Sequence, residues 1–237
     1  MKTALVTGAT SGVGRAIVEA LREQGYQVLA QGRNPEALEA LAQHENVTPL
    51  ALELSDPEGV RTALGTARID VLVCNAGIMP TPGPFPEIDP AEIARAIEVN
   101  ITSQLTLTRL LVPGMCARGH GHIVFTGSIS GHAPYAGMAL YCATKAALGG
   151  FAQALRLDLA DRGVRVTEIV AGRIETALYR DVLPEETRAG MYRPGTTLFP
   201  EDVARMVATV LDLPAHVDVS RFDIVPARLT PLKETMK

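Results

Sequence analysis

A tyrosine and a lysine four residues apart are the side chains whose types and spacing most directly suggest chemistry. If the stretch YCATK is helical, Tyr141 and Lys145 lie one turn apart on the same face. A free tyrosine has a pKa of about 10, and a nearby ammonium stabilises its phenolate, so the pair could exchange a proton with a substrate. Lys145 is the only lysine between Lys2 and Lys233. A packed tyrosine beside a surface lysine is the alternative interpretation of these residues alone.

Ser128 favours the chemical interpretation because it ends the apolar stretch GHIVFTGS, thirteen residues before Tyr141. Its hydroxyl could hold a carbonyl oxygen beside the tyrosine. His132, Tyr135 and Met138 lie between these two residues, and we expect all three to line a substrate pocket. The sequence thus predicts a substrate site built around one serine and one tyrosine.

A glycine-rich loop follows the first apolar run, with Gly8, Gly12 and Gly14 in TGATSGVGRA. Glycine permits a tight turn and the close approach of a pyrophosphate, and the following helix N-terminus supplies N–H donors and positive potential. The spacing is G-x-x-x-G-x-G, not the G-x-G-x-x-G of the general dinucleotide fingerprint. Its position between a strand and a helix favours dinucleotide binding over a purely structural turn.

Alternating strands and helices must position these residues. Apolar runs predict strands at 3–7, 26–30, 47–54, 69–77, 121–128, 164–170 and 222–226. Helical spacing predicts helices at 12–24, 35–43, 56–65, 90–116, 139–161 and 201–211. This order predicts an α/β fold: a Rossmann-type, doubly wound parallel sheet of about seven strands with helices on both faces, in one domain spanning 1–237.

Ligands of such sheets bind beyond the carboxyl ends of the strands, where the strand order reverses. We therefore expect the site to include residues 8–14, residues 75–77, Ser128 and the segment after Val170. Residues 172–199 lack strong periodicity, which predicts a substrate lid.

That predicted lid carries four arginines, at positions 173, 180, 188 and 193. They could be ordinary solvated charges, or one could bind an anionic group of the substrate. Arg180 and Arg193 are the first candidates for this second role.

Composition argues against several functional classes. The net charge of −4, the absence of a basic stretch and the lack of tryptophan disfavour a nucleic-acid surface. Three cysteines without CxxC spacing predict free thiols in a reducing compartment. There is no pattern of a signal peptide and no apolar run near 18 residues, so we expect a cytoplasmic protein without membrane contact. His120 and His122 have a metal-like spacing but no further ligand nearby in sequence, so no metal site is predicted.

Taken together, the motifs resemble the short-chain dehydrogenase/reductase family. TGATSGVG, the NAG at 75–77, Asn100, Ser128 and YCATK occur in the order and at the spacings of that family, over essentially the whole chain. The resemblance implies reversible hydride transfer between a nicotinamide and a carbonyl or alcohol. It implies that Tyr141 is the general acid/base, that Lys145 binds the nicotinamide ribose and lowers the tyrosine pKa, and that Ser128 orients the substrate oxygen. Asn100 is implied to hold a water that links Lys145 to solvent.

The resemblance also implies a set of cofactor contacts, which Tyr141 and Lys145 share. These are Gly8, Thr10, Ser11, Gly12, Val13, Gly14, Arg33, Glu53, Leu54, Asn75, Ala76, Gly77, Gly172, Ile174 and Thr176.

The sequence departs from the family pattern at three places in or directly beside this set. Cys74 replaces the first of two asparagines before Ala-Gly, and Glu53 replaces the acid expected at the adenine amino group. Ala171 replaces the proline of the usual Pro-Gly, which removes a restraint on φ and predicts a looser lid. None of these changes affects the serine, tyrosine and lysine.

The end of the second strand, YQVLAQGRN, predicts the cofactor. Relatives that use NAD carry a carboxylate there, which accepts hydrogen bonds from the ribose diol. Gly32 stands at that place, and Arg33 offers a planar fork of donors to a 2′-phosphate, so NADP(H) is predicted. Ser11 stands where many NADP users carry a basic residue, and Arg33 could alternatively be a polar residue of a surface turn.

Within the family, the chain resembles NADP-dependent 3-hydroxy acid and serine dehydrogenases, and reductases of small semialdehydes. This implies a small alcohol and its aldehyde or ketone as substrates, with an anionic group favoured and a neutral aldehyde, ketone or sugar as the alternative. A non-catalytic nucleotide sensor on the same fold is the alternative from another class. The resemblance also implies a homotetramer or homodimer, and close packing explains a mid-helix Gly149-Gly150.

Overall fold

A computed structural model describes residues 1–180, 182–192 and 195–228. In this part of the chain, parallel strands form one seven-stranded sheet in the order β3-β2-β1-β4-β5-β6-β7. The strands are β1 (Thr3–Val6), β2 (Gln27–Gly32), β3 (Val47–Ala51), β4 (Val71–Cys74), β5 (Gly121–Thr126), β6 (Val164–Ala171) and β7 (Arg221–Ile224).

Helices connect the strands and cover both faces of the sheet. They are α1 (Gly12–Glu23), α2 (Pro35–Ala42), α3 (Pro57–Leu64), α4 (Pro90–Ile97), α5 (Ser103–Arg118), α6 (Ala139–Leu159), α7 (Glu185–Met191) and α8 (Pro200–Asp212). The predicted fold class is confirmed: an open, all-parallel sheet with helices on both sides, as in a Rossmann-type fold.

The central strands are apolar along their whole length because both faces are covered. Every residue of β4, VLVC, is buried, and one hydrophobic cluster lies on each side of the sheet. One cluster includes Ile17 of α1 and Val207 of α8, and the other includes Leu111 of α5 and Leu148 of α6. These two layers hold the strand ends, and hence the site residues, in fixed relative positions.

Helix starts follow local sequence signals. Asn34 accepts a hydrogen bond from Ala37 N at 3.0 Å, Asp89 accepts one from Ala91 N at 2.8 Å, and a proline stands in the first turn of both α2 and α4. The C-terminal end of α5 also has a local signal: Gly119 adopts a left-handed conformation (φ 66°), which ends the helix.

Two segments differ from the sequence-based prediction. A π-helical turn, Glu98–Thr102, interrupts the single helix that was expected over 90–116. Such a turn contains one residue more than an α-helical turn, and Asn100 lies in the middle of it. Residues 172–199 contain the short helix α7 and a 3-10 turn, Ala177–Tyr179, both too short to produce a clear periodicity in the sequence.

Strand order creates the crevice that positions the site. β1 lies between β2 and β4, so the connections that leave β1 and β4 diverge to opposite sides of the sheet. This is the switch point at which open parallel sheets bind ligands. Among the described residues, no helix combines the length and the apolar character needed to cross a membrane.

Candidate active site

A cavity of about 1050 Å³ lies over the carboxyl ends of the strands. One end is lined by the glycine loop and Arg33, and the other by Ser128, Tyr141 and Lys145. The expected cofactor residues line this cavity with the exception of Gly14. The structure thus brings the predicted nucleotide loop and the predicted catalytic residues into one continuous space.

Glycine is required at the loop because backbone and side chains approach it closely. Gly8 and Gly12 have φ values of 64° and 50°, which disfavour residues with a Cβ. A Cβ on Gly14 would lie 2.1 Å from the carbonyl oxygen of Gly8, so this third glycine lets α1 pack against the end of β1. Gly14 therefore shapes the loop from behind, while Gly8 and Gly12 face the cavity.

The loop is anchored by side chains from neighbouring strands. Thr7 Oγ1 accepts hydrogen bonds from Asn75 N at 2.9 Å and Ala76 N at 3.0 Å, and Asn75 Nδ2 donates to Thr7 O at 3.0 Å. Gln31 Oε1 accepts from Gly8 N at 3.0 Å. Thr7 and Gln31 were not predicted from the sequence, because neither belongs to the glycine pattern.

At the outer end of the cavity, Arg33 and Glu53 form an ion pair. Arg33 Nη1 lies 3.5 Å from Glu53 Oε2, and the two side chains are 59% and 48% exposed, so the pair contributes little to stability. It does place a guanidinium at the end of β2. A Cβ on Gly32 would lie 2.3 Å from Thr10 Cγ2. Steric crowding by Thr10 therefore also explains why residue 32 is a glycine, at the place where NAD-dependent relatives carry a carboxylate.

Tyr141 lies in a buried apolar cluster with Met79, Met138 and Cys142. Burial raises the pKa of Tyr141 well above its usual value of 10.0, nearby Tyr179 raises it further, and a hydrogen bond with Ser128 lowers it. Among the protein's own groups, the tyrosine is therefore held protonated, as a proton donor requires. Lys145 is not among the groups that change this pKa, so the expectation that it lowers the tyrosine pKa stays a prediction.

Lys145 is buried one turn along α6, with Nζ 5.8 Å from the centre of the Tyr141 ring. The ammonium donates a hydrogen bond to Thr126 O at 2.8 Å, which fixes it at the end of β5. Burial lowers the pKa of Lys145 from 10.5 to about 8, and the carboxylate of Glu168 opposes that change. The lysine therefore titrates within the range in which an enzyme operates.

Asn100 lies in the π-helical turn and does not line the cavity. Its Oδ1 accepts from Ile78 N at 2.8 Å, and its Nδ2 donates to Ile78 O at 2.9 Å and Thr144 Oγ1 at 3.3 Å. A Cβ on Gly77 would lie 3.2 Å from Oδ1. Asn100 thus fixes the chain after β4 to the catalytic helix, and its predicted water-mediated link to Lys145 stays a prediction.

Ser128 belongs to a chain of hydroxyl groups. Its Oγ is 3.2 Å from Ser130 Oγ, which is 3.0 Å from Tyr135 OH at the cavity. Tyr135 and Met138 line the cavity as expected, and Ser130 is an additional buried member that the sequence analysis did not identify.

His132 lies outside the cavity lining, contrary to the expectation from its sequence position. Its ring nitrogen Nε2 is 2.9 Å from Glu168 Oε1, and this buried carboxylate, 36 residues away along the chain, turns the imidazole away from the cavity. Arg180 also lies outside the lining and is exposed, while Arg193 lies outside the described residues. Arg173 and Arg228 do line the cavity.

Residues of the 172–199 segment form one wall. Gly172, Ile174 and Thr176 line the cavity, and Thr176 O accepts a hydrogen bond from Tyr192 OH at 3.1 Å. Tyr179 lines the cavity and packs against the cluster around Tyr141. The sequence analysis missed Tyr179, because no local pattern distinguishes it.

The chain matches known proteins over almost all of its length. The family model described as short chain dehydrogenase matches residues 2–187. An uncharacterised short-chain type dehydrogenase/reductase of Sinorhizobium fredii is 41% identical over 95% of this chain and 91% of its own. An NADP-dependent 3-hydroxy acid dehydrogenase of Salmonella typhi is 36% identical over 94% of each chain.

Among solved structures, the closed form of a serine dehydrogenase complexed with NADP⁺ superimposes with a TM-score of 0.93. It shares 33% of its sequence with this chain, and the match covers 97% of both proteins.

Proposed function

The chain belongs to the short-chain dehydrogenase/reductase family, and from this premise we propose that it is an NADP-dependent oxidoreductase that interconverts a small anionic alcohol and its aldehyde or ketone. One observation carries the proposal. Ser128, Tyr141 and Lys145 line the same cavity as the glycine loop, so a carbonyl at the tyrosine and a dinucleotide at the loop can be bound together.

The chain's own residues account for the proton and the substrate oxygen. Tyr141, which burial keeps protonated, donates its proton to the carbonyl oxygen during reduction and takes it back during oxidation. Ser128 hydrogen-bonds the same oxygen and fixes its position. The Lys145 ammonium, held by Thr126 O, stabilises the developing tyrosinate, and it would contact the ribose of a bound cofactor. The nicotinamide, when bound, supplies or accepts the hydride.

NADP(H) fits the outer end of the cavity better than NAD(H). Arg33 offers a planar guanidinium at the end of β2, and Gly32 leaves no carboxylate to repel a 2′-phosphate. Glu53 lies 3.5 Å from Arg33, so a phosphate must compete with this carboxylate for the guanidinium. The relatives described as NADP-dependent or bound to NADP⁺ agree with this assignment.

A small anionic substrate is supported by two arginines that line the cavity. Arg173 lines the cavity from the start of the 172–199 segment, where its Nη1 donates to Met191 O at 3.2 Å. Arg228 lines the same cavity. A guanidinium binds a carboxylate through two parallel hydrogen bonds, which suits a 3-hydroxy acid or its semialdehyde. Arg173 therefore replaces Arg180 as the first candidate for substrate binding.

The decisive experiment is a substrate panel. Purified protein is mixed with NADPH or NADH and with matched anionic and neutral aldehydes, ketones and alcohols, and cofactor absorbance is followed. We expect NADPH to be consumed fastest with a small anionic carbonyl. The assignment as an oxidoreductase fails if no substrate changes the cofactor while binding is intact, and the anionic class fails if neutral carbonyls react as well.

Self-association is also proposed, as a homodimer or homotetramer. Leu157 on α6 is 70% exposed. Apart from the adjacent residues and backbone of the same helix, no described atom lies within 4 Å of a Cβ built on Gly150, so α6 presents a surface that a second copy could cover. Light scattering of the purified protein measures the oligomeric state. A substitution of Leu157 by Arg should shift it toward the monomer.

A further inference from the structure

A buried carboxylate lies beside the catalytic helix without lining the cavity. Glu168 on β6 is 1% exposed, and its neighbours in the register are Phe125 of β5 and Arg221 of β7. A charged group this deep in a protein is costly unless other groups compensate it. The mechanism proposed above does not use this residue, so its presence requires another explanation.

Two glycines make room for the carboxylate. A Cβ on Gly127 would lie 2.5 Å from Glu168 Oε1, and one on Gly149 would lie 2.8 Å from the same atom. Gly149 is one turn after Lys145 in α6, and Gly127 directly follows Thr126, whose carbonyl binds the lysine ammonium. The carboxylate therefore touches both elements that hold Lys145.

His132 and Arg221 hold one side of this carboxylate. His132 Nε2 lies 2.9 Å from Oε1, and Arg221 Nη1 lies 3.4 Å from His132 Nδ1. Arginine has only donors, so Nδ1 accepts and Nε2 carries the proton that is donated to Glu168. Within the described ranges, the other oxygen, Oε2, is buried and has no hydrogen-bond partner.

We propose that Glu168, held by His132 and Arg221, is a positioning residue that keeps the buried Lys145 ammonium charged. The importance of that charge for turnover rests on the proposed function. Among residues 1–180, 182–192 and 195–228, the other ionisable groups around the pair do not supply a competing anion near the lysine. Tyr141 on α6 is protonated, His132 donates to Glu168, and Asp223 on β7 is paired with Arg221 at 3.1 Å.

The pKa of Lys145 agrees with the position of Glu168 beside the two elements that hold the lysine. Burial lowers the pKa of Lys145 to about 8, and Glu168 raises it. Without the carboxylate, the lysine would lose its proton at a lower pH, and the positive charge beside Tyr141 would be lost within the working range. The free-energy cost of burying Glu168 is thus explained by its effect on the charge of Lys145, not by a contribution to the stability of the fold.

The test is a direct titration of the lysine. The chain has four lysines, Lys2, Lys145, Lys233 and Lys237, so NMR of protein labelled at the lysine ε-carbon resolves few signals. We expect Glu168→Gln to lower the titration midpoint of Lys145 by about one pH unit, which corresponds to about 1.4 kcal/mol of charge interaction. Glu168→Asp keeps the negative charge, so its Lys145 midpoint should stay close to the wild-type value.

A matched control is Asp70→Asn. Asp70 is also a buried carboxylate with a histidine partner, His120 Nε2 at 3.1 Å, but it directly precedes β4, at the amino end of the strand and outside the cavity lining. This variant should leave the Lys145 midpoint unchanged. If Glu168→Gln folds poorly, His132→Asn removes the ring that holds the carboxylate, and a buried carboxylate without a partner favours its neutral form, so the midpoint should move in the same direction.

The inference is overturned if folded variants at Glu168 and His132 leave the Lys145 midpoint within about 0.2 pH units of wild type, well below the expected change. The titration needs no cofactor or substrate, so it is independent of the proposed activity. In the active enzyme, Glu168→Gln should also move the alkaline fall of kcat/KM to lower pH, with rates at pH 6.5 within about twofold of wild type, because the lysine stays protonated there.

Discussion

The two walls of the cavity near Tyr141 are built in different ways. Tyr141 and Lys145 project from α6, and Ser128 lies two residues after the end of β5. Lys145 Nζ donates a hydrogen bond to Thr126 O, the last residue of that strand. The 172–199 segment faces them with a 3-10 turn, the short helix α7 and side chains such as Tyr179. The proposed function therefore assigns proton transfer to the sheet and its helical layer, and substrate choice to the connecting segment.

Tyr141→Phe should have the largest effect, on the scaffold side. Removal of the phenol eliminates the proton donor, which typically contributes about 10²–10⁴-fold to a rate, while the other cofactor contacts remain. We expect turnover to fall by that factor and NADPH affinity to stay within about threefold, because the other contacts are kept. Steady-state kinetics and a fluorescence titration measure the two quantities. A variant that keeps a tenth of the wild-type rate would contradict the role of Tyr141.

Arg173→Ala tests the segment side of the comparison. A charge-assisted hydrogen bond contributes about 1.5–3 kcal/mol, so KM for an anionic carbonyl should rise by about 10–150-fold, with little change for a neutral one. Arg180→Ala is the matched control, because Arg180 belongs to the same segment but is exposed and lies outside the cavity lining. Equal effects of the two variants would refute a specific role for Arg173.

Arg33→Ala should have a smaller effect, since this side chain is half exposed and already paired with Glu53. We expect the ratio of kcat/KM for NADPH over NADH to fall by about tenfold, at the low end of the range for a charge-assisted contact. Gly32→Asp would add the carboxylate that NAD-dependent relatives carry there, but its side chain would collide with Thr10 Cγ2. Arg33→Ala is therefore the cleaner test, and a wild type that prefers NADH would refute the cofactor assignment.

The smallest expected effect is a pH dependence of stability that originates from Lys145. Its pKa falls from 10.5 in the unfolded chain to about 8 in the fold, so between these values the unfolded chain binds more protons. The free energy of unfolding should therefore rise with pH from about 8 to 10, by about 1 kcal/mol per pH unit. Above pH 10 the raised pKa of Tyr141 reverses the trend. Urea denaturation at several pH values measures the free energy of unfolding of wild type and Lys145→Met. An equal change of this free energy with pH in both proteins would contradict the prediction.

The sequence by itself predicted the fold class, the glycine loop and the tyrosine–lysine spacing. These features are local: a strand or helix shows its own periodicity, and residues four apart on a helix share a face wherever that helix lies. The mid-helix Gly149 was also explained in advance as a close contact, although its partner, Glu168, was not identified.

Only the tertiary structure decided which polar side chains face the cavity. His132 lies in the expected stretch of sequence, but Glu168, distant along the chain, turns it away, and Arg173 lines the cavity where Arg180 does not. The pKa of Tyr141 likewise depends on burial among residues from several elements. Side-chain direction in irregular segments and the degree of burial are set by contacts between distant parts of the chain, which no local pattern encodes.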